Sequence, residues 1–254
     1  MIRGLYIAAS GMITRQVQQE NLSNDIANIN TPGYKKDKTA LKTFEEVMIE
    51  NKDRIVNGKS YKNVIGKMDM GVGIDDVKTD YSQGILEETS RNLDFAINGE
   101  GFFTVVDDNN NKYYTRDGRF KIDSDGNLRT IEGYKVLGLN ENNDEAEINV
   151  KDSDFKLSSD GSFESSNGKM KFLISSFNTQ DLQKSSSNFY ISNSKPNIAN
   201  SDVKQGYLEK SNVDAIEVIT NMITIMRNYE SSQKVLQQMD ETLGKTVNEV
   251  GSVR

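Results

Sequence analysis

An apolar seam with positions alternately three and four residues apart runs along both ends of this chain and is missing from its middle. At the start it passes through Leu5, Ala8, Met12, Arg15, Gln19, Leu22, Ile26 and Ile29. At the other end it passes through Ala215, Val218, Met222, Ile225, Tyr229, Ser232, Leu236, Met239, Leu243, Thr246 and Val250. A seven-residue repeat keeps one stripe of a helix turned toward a partner helix, because each knob needs a hole on a neighbour to become dry. Two readings are open: the seams form an intramolecular helix pair, or each also meets other copies of the chain. The second is favoured by Ile216, Ile219, Ile223 and Met226, a further apolar stripe on the last helix. One partner helix covers one stripe, whereas two stripes want two neighbours.

The first helix should stop near Ile29, where Asn30-Thr31-Pro32-Gly33 supplies a residue disfavoured from helix before proline and then a glycine. Thr31, Pro32 and Gly33 read as a stiff exit from that helix. Asn21, Asn24, Asn28 and Asn30 are caps, solvated amides or register-setting contacts to neighbouring copies. The last helix is expected from Val213 to Glu249, opened by a capping box of Ser211 and Asp214, with Lys245 and Arg254 near its end to complement the dipole. Between the helices, residues 35–84 read as an irregular or extended connection, glycine-punctuated at Gly58, Gly66, Gly71, Gly73 and Gly84, with room for a short helix from Thr39 to Asn51.

Residues 85–205 alternate in short segments. Phe102 to Val106, Lys112 to Thr115, Phe120 to Ile122, Leu128 to Ile131 and Lys171 to Ser176 read as strands. Asp117-Gly118, Asp125-Gly126 and Asp160-Gly161 are hairpin signals. The expected class is therefore α+β: N- and C-terminal coiled-coil-forming helices flanking a central antiparallel all-β domain. The divisions are 1–34, 35–84, 85–205 and 206–254. One internal echo stands out, Gln83-Gly84-Ile85-Leu86-Glu87-Glu88-Thr89 against Gln205-Gly206-Tyr207-Leu208-Glu209-Lys210-Ser211. Either it is chance, or the chain enters and leaves the β domain through similar segments lying side by side.

The chain contains no cysteine and no histidine, which removes thiol nucleophiles, thiolate zinc sites, Ser-His-Asp triads and His-ligated metals together. Gly99-Glu100-Gly101 has Thr104 where a nucleotide loop needs glycine, and no helix follows. Lys121 to Gly126, followed by Glu132, is similar to a calcium loop, but Lys121 fills the first ligand position, so a hairpin turn is the better reading. No catalytic residue, cofactor or metal is expected, and no small-molecule substrate. The net charge is −7, and no basic cluster exceeds Lys35, Lys36 and Lys38, so nucleic acid is not expected as a partner. Most of the negative charge lies between the seams, whose near neutrality suits packing against copies. Apolar residues make up 35%, below the ordinary share even with glycine added, which favours surface over deep core. The start of the chain, with Arg3 before a run containing Ala8, Ala9 and Ser10, has some look of a secretory signal, yet the seam continues through Arg15 to Ile29, so the segment reads as part of the mature helix.

Three blocks resemble the bacterial flagellar rod and hook family. They are Asn24-Asp25-Ile26-Ala27-Asn28-Ile29-Asn30-Thr31-Pro32-Gly33-Tyr34-Lys35; Leu93-Asp94-Phe95-Ala96-Ile97-Asn98-Gly99-Glu100-Gly101-Phe102-Phe103 with Tyr114-Thr115-Arg116-Asp117-Gly118-Arg119-Phe120; and Gly206-Tyr207-Leu208-Glu209-Lys210-Ser211-Asn212-Val213-Asp214, continuing through Arg227-Asn228-Tyr229-Glu230. Asp25 departs from the family's usual Asn. The resemblance implies a structural subunit, a helical homopolymer whose terminal helices form the inner wall of a tube, partnered by other rod and hook proteins. It also implies a basal-body location and export through the flagellar type III apparatus without a cleaved signal peptide. Length and a single β domain favour a rod subunit, distal or proximal, over the hook protein. From other classes, a surface adhesin with a coiled-coil stalk and a carboxylate-dependent hydrolase are the rivals. The candidate assembly residues are Leu5, Met12, Leu22, Ile26, Asn28, Ile29, Thr31, Pro32, Gly33, Val213, Val218, Met222, Ile223, Ile225, Tyr229, Leu236, Met239 and Leu243.

Overall fold

The computed structural model describes residues 2–56, 59–150, 156–158, 161–165, 168–186, 188–199 and 201–250. Gly58, Asp160 and Arg254, which entered the reading of turns and helix dipole, lie outside them. The chain divides into two compact units, Met1–Ile26 with Asp37–Thr79 and Ala215–Arg254, and Ala27–Lys36 with Asp80–Asp214.

The first unit holds helices α1 (Ile2–Ala27) and α2 (Ala215–Lys245), the latter followed by one π turn at Thr246–Val250. Its strands are β1 (Asp37–Thr43), β2 (Glu46–Val56), β3 (Lys59–Asp69) and β4 (Val72–Thr79). β1 pairs antiparallel with β4 and β2 with β3, so the chain runs out and back as a two-stranded ribbon. The short helix expected from Thr39 to Asn51 is thus replaced by strands. Its apolar spacing suited a helix, but residues 72–79 and 59–69 pair along the segment, and non-local pairing overrides a weak local preference.

α1 docks on this ribbon through small polar side chains. Thr14 Oγ1 donates to the Val72 carbonyl at 3.1 Å, and Asn21 Nδ2 donates to Thr39 Oγ1 at 3.0 Å. Gly71 permits the approach: its φ is +128°, and a Cβ there would lie 2.2 Å from Ser10 Oγ. The start of α1 also meets the far half of α2, where a Cβ on Gly4 would lie 2.7 Å from Met239 Cε.

The second unit is antiparallel throughout its described pairings. Its strands begin with β5 (Leu86–Glu88), β6 (Phe95–Asn98), β7 (Phe102–Val106), β8 (Lys112–Thr115), β9 (Phe120–Ile122), β10 (Leu128–Thr130), β11 (Lys135–Asn140) and β12 (Glu145–Glu147). They continue with β13 (Ser162–Ser165), β14 (Gly168–Phe172), β15 (Ile174–Ser176), β16 (Leu182–Lys184), β17 (Phe189–Ser192), β18 (Asn197–Ile198), β19 (Asp202–Gln205) and β20 (Tyr207–Glu209). The main sheet runs β13-β14-β11-β7-β8-β17-β16, and β6 pairs with β19. The single strand expected over Lys171 to Ser176 is broken at Leu173 into β14 and β15.

β7 is buried on both faces. Phe103 and Val105 join Phe95, Phe120, Phe163, Phe172 and Ile174 in the main core, while Phe102 packs with Tyr114, Leu182 and Tyr190. Phe95 and Phe172 meet tilted at 4.9 Å, Phe103 and Phe120 edge-on at 5.3 Å, and Phe95 and Phe120 stack at 5.9 Å; edge-on and offset-stacked contacts are the geometries aromatic quadrupoles favour.

The hairpin signals divide. Asp125-Gly126 does turn β9 into β10, with Gly126 at φ +83°. There the Asp123 carboxylate accepts the Asp125 and Asn127 amides and Arg129 Nε, which is the hairpin reading of this loop. Asp117-Gly118 is not a hairpin, since β8 pairs with β7 and β17 while β9 pairs with β10. Gly118 instead presses on the Phe95 carbonyl, which a Cβ would approach to 1.7 Å. The echo is spatial: β5 and β20 lie antiparallel, Leu208 opposite Glu87.

Candidate functional site

After α1 the chain turns through Thr31-Pro32-Gly33-Tyr34, the Tyr34 amide donating to the Thr31 carbonyl and Gly33 taking φ +72°. Proline and then a positive-φ glycine are what a type II turn requires. The turn delivers Gly33, Lys35 and Lys36 onto the segment that leaves the β domain. The Gly33 amide donates to the Glu209 carbonyl at 2.7 Å, and the Lys36 amide donates to Asn212 Oδ1 at 2.8 Å.

At the centre of this clasp three charges are buried together. Glu209 accepts Lys35 Nζ on one carboxylate oxygen and Arg116 Nη1, at 3.0 Å, on the other. Their side chains are 1%, 0% and 4% exposed respectively. Surrounding groups add to the bonding, though among the described residues Arg116 Nε is left buried without a hydrogen-bond partner: the Gly84 amide donates to Glu209 at 2.8 Å, Lys35 also donates to the Ser82 carbonyl, and Arg116 Nη2 donates to the Gly99 carbonyl. Burial, the largest influence, holds the Lys35 ammonium below the ordinary lysine pKa, against the upward pull of Glu209.

Asn212 ties in the third segment, its amide donating to the Asp80 carbonyl at 2.7 Å. Lys184 covers Tyr34 at 4.3 Å from the ring centroid and donates to the Lys35 carbonyl. Two glycines make the crossing possible. A Cβ on Gly33 would lie 2.4 Å from the Arg116 backbone, and one on Gly84 would lie 2.0 Å from the Lys210 carbonyl oxygen.

The helix seam has a different fate. Along α2, Val218 and Ile225 are buried; Met222, Tyr229, Ser232, Leu236, Met239 and Leu243 are half-buried; and the other residues through Lys245 are exposed. The exposed set includes Ala215 and the second stripe, from Ile216 at 79% to Ile219, Ile223 and Met226. Leu5, Met12, Leu22, Ile26, Asn28, Ile29, Thr31 and Pro32 are half-buried, and Gly33 and Val213 are buried. Thus Ile223 faces outward, whereas its seam neighbours Met222 and Ile225 turn toward the chain itself. α2 opens at Ala215, two residues later than expected, and ahead of it Ser211 Oγ accepts the Val213 amide.

Reasoning from sequence missed Lys35, Arg116, Glu209 and Asn212 as a group, together with Ser10, Thr14 and Asn21 on the ribbon side of α1. The spacing of Ser10, Thr14 and Asn21 by four and seven was a helical signal for the latter. Among the described residues no group of His, Cys, Asp and Glu is arranged to hold a metal ion.

Comparison with known proteins places these parts in sequence families. Residues 5–35 match the family described as flagella basal body rod protein, 96–165 the flagellar hook protein FlgE/F/G D1 domain, and 204–249 the flagellar basal body rod FlgEFG protein C-terminal region. The flagellar basal-body rod protein FlgG of Bacillus subtilis is 32% identical, over 98% of this chain and 99% of its own length. This chain belongs to the flagellar basal-body rod proteins. FlgG of Agrobacterium fabrum is 33% identical over 94% of this chain and 96% of its own, and FlgF of Caulobacter vibrioides is 30% identical over the whole of both. The clasp draws one charged residue from each matched region of the rod family: Lys35, Arg116 and Glu209. The rod family is structural, not enzymatic, and basal-body rod membership carries with it a flagellar location and assembly beside other rod and hook proteins.

Proposed function

We propose that this structural subunit of the basal-body rod polymerises through its terminal helices into the axial drive shaft. Assembled copies of α1 and α2 then form a coiled-coil inner wall around the export channel, and the polymer transmits torque. The observation that carries this reading is the outward stripe of Ile216, Ile219, Ile223 and Met226, left exposed after the neighbouring seam has turned inward. Exposed apolar residues repeated along one helix face are covered at low cost by another helix of the same kind.

Export through the flagellar type III apparatus without a cleaved signal belongs to the same proposal. It is supported by the integration of the first residues into the fold, with Gly4 against Met239 and Leu5 half-buried. A reconstruction of the native basal body with this chain traced tests the reading. Density for the chain in the rod, α1 and α2 innermost, is expected; density confined to the hook would overturn it.

A further inference from the structure

The chain first enters the second unit at Ala27 and finally leaves it at Asp214, and just inside these ends residues 33–36 and 209–212 are bonded directly to each other. The Gly33 amide meets the Glu209 carbonyl, Lys35 meets the Glu209 carboxylate, and the Lys36 amide meets Asn212. The excursion of 37–79 is closed at its base by the Asp80 amide on the Lys36 carbonyl at 2.8 Å. Asn212 and Lys35 both reach Ser82 just beyond that closure.

We propose that the clasp is a mechanical short circuit. A pull entering at Ala27 and leaving at Asp214 passes from one segment to the other through Gly33, Lys35, Lys36, Glu209 and Asn212, so the β sheet and its aromatic core carry little of it. The bonds suit that load. The Lys35 bond to Glu209 is charge-assisted and shielded from water, which strengthens it, and it shares the pull in parallel with the Gly33–Glu209 and Lys36–Asn212 bonds that join the same two segments. This use of the clasp rests on the torque-bearing role proposed above. The load path itself is a property of the single chain, so a failure to polymerise leaves its test intact.

The absence of native cysteine allows two attachment points to be introduced cleanly in the full chain. One protein carries Ala27→Cys and Asp214→Cys, both at exposed positions outside the clasp; a second carries Asn109→Cys and Asn193→Cys, exposed and loading β8 against β17. Dwell time before rupture is measured at constant force, with and without Asn212→Ala, and with Glu209→Gln where that variant folds. For the first attachment pair, Asn212→Ala is expected to shorten the dwell about tenfold, the change for losing roughly one strong hydrogen bond, while the second pair keeps its original dwell. An unchanged dwell on the first pair, or equal shortening on both, would overturn the proposal.

Discussion

Lys35 and Glu209, 174 positions apart in sequence, form a fully buried ion pair that Arg116 completes from the other carboxylate oxygen. Glu209 is the shared acceptor, so its loss leaves two cations buried without their counter-ion. Glu209→Gln is expected to cost about 3–5 kcal/mol of stability, the usual consequence of breaking a buried pair from one side. Replacing all three residues together, Lys35→Met, Arg116→Met and Glu209→Leu, should recover most of it. Urea denaturation of the single and triple variants checks both statements.

The same pair sets a pH dependence. Because burial lowers the folded-state pKa of Lys35, the unfolded chain holds more protons than the folded one between that lowered value and the ordinary lysine value. Stability therefore rises with pH across that alkaline window, and at lower pH the cost of the buried ammonium is carried in full. Unfolding free energy measured against pH should show this rise in the parent chain relative to Lys35→Met, which lacks it.

Glycine positions separate crowded from open backbone. Gly84→Ala drives a methyl to 2.0 Å from the Lys210 carbonyl and is expected to destabilise by about 1–3 kcal/mol, as overpacking does. Gly11→Ala, in the middle of α1 with nothing within 4 Å of its Cβ, is expected to raise stability by about 0.5–1 kcal/mol. Thermal melts of the two variants should move in opposite directions.

The helices were legible because a helix writes its buried face into local spacing. From Val218 through Leu243, every position of the α2 seam is buried or half-buried, and the second stripe is exposed. The echo was legible for a similar reason: like strands, β5 and β20, occupy like positions at the entrance and exit. The clasp was not. Lys35 stood in the chain's strongest basic cluster, where a lysine ordinarily means solvent, and nothing within a short window of Arg116 or Glu209 marks either as its partner. The extended character of 35–84 was legible in its glycines, but the pairing of β1 with β4 and β2 with β3 was not, because strand partners are specified across the excursion while the apolar spacing over Thr39 to Asn51 left room for a helix.

Assembly through the exposed stripe of α2 is tested most directly by Ile219→Glu with Ile223→Glu, returned to cells that lack the chain. A matched variant, Asn221→Asp with Gln238→Glu, adds the same charge at exposed positions off the stripe. Basal bodies are then purified and their rods counted by electron microscopy, with the melting of each purified chain recorded. The stripe variant should melt like the parent yet leave few or no complete rods, since carboxylates buried between helices have no counter-ion there; the matched variant should give rods at the parental number. Complete rods at the parental number from the stripe variant would contradict assembly through this face.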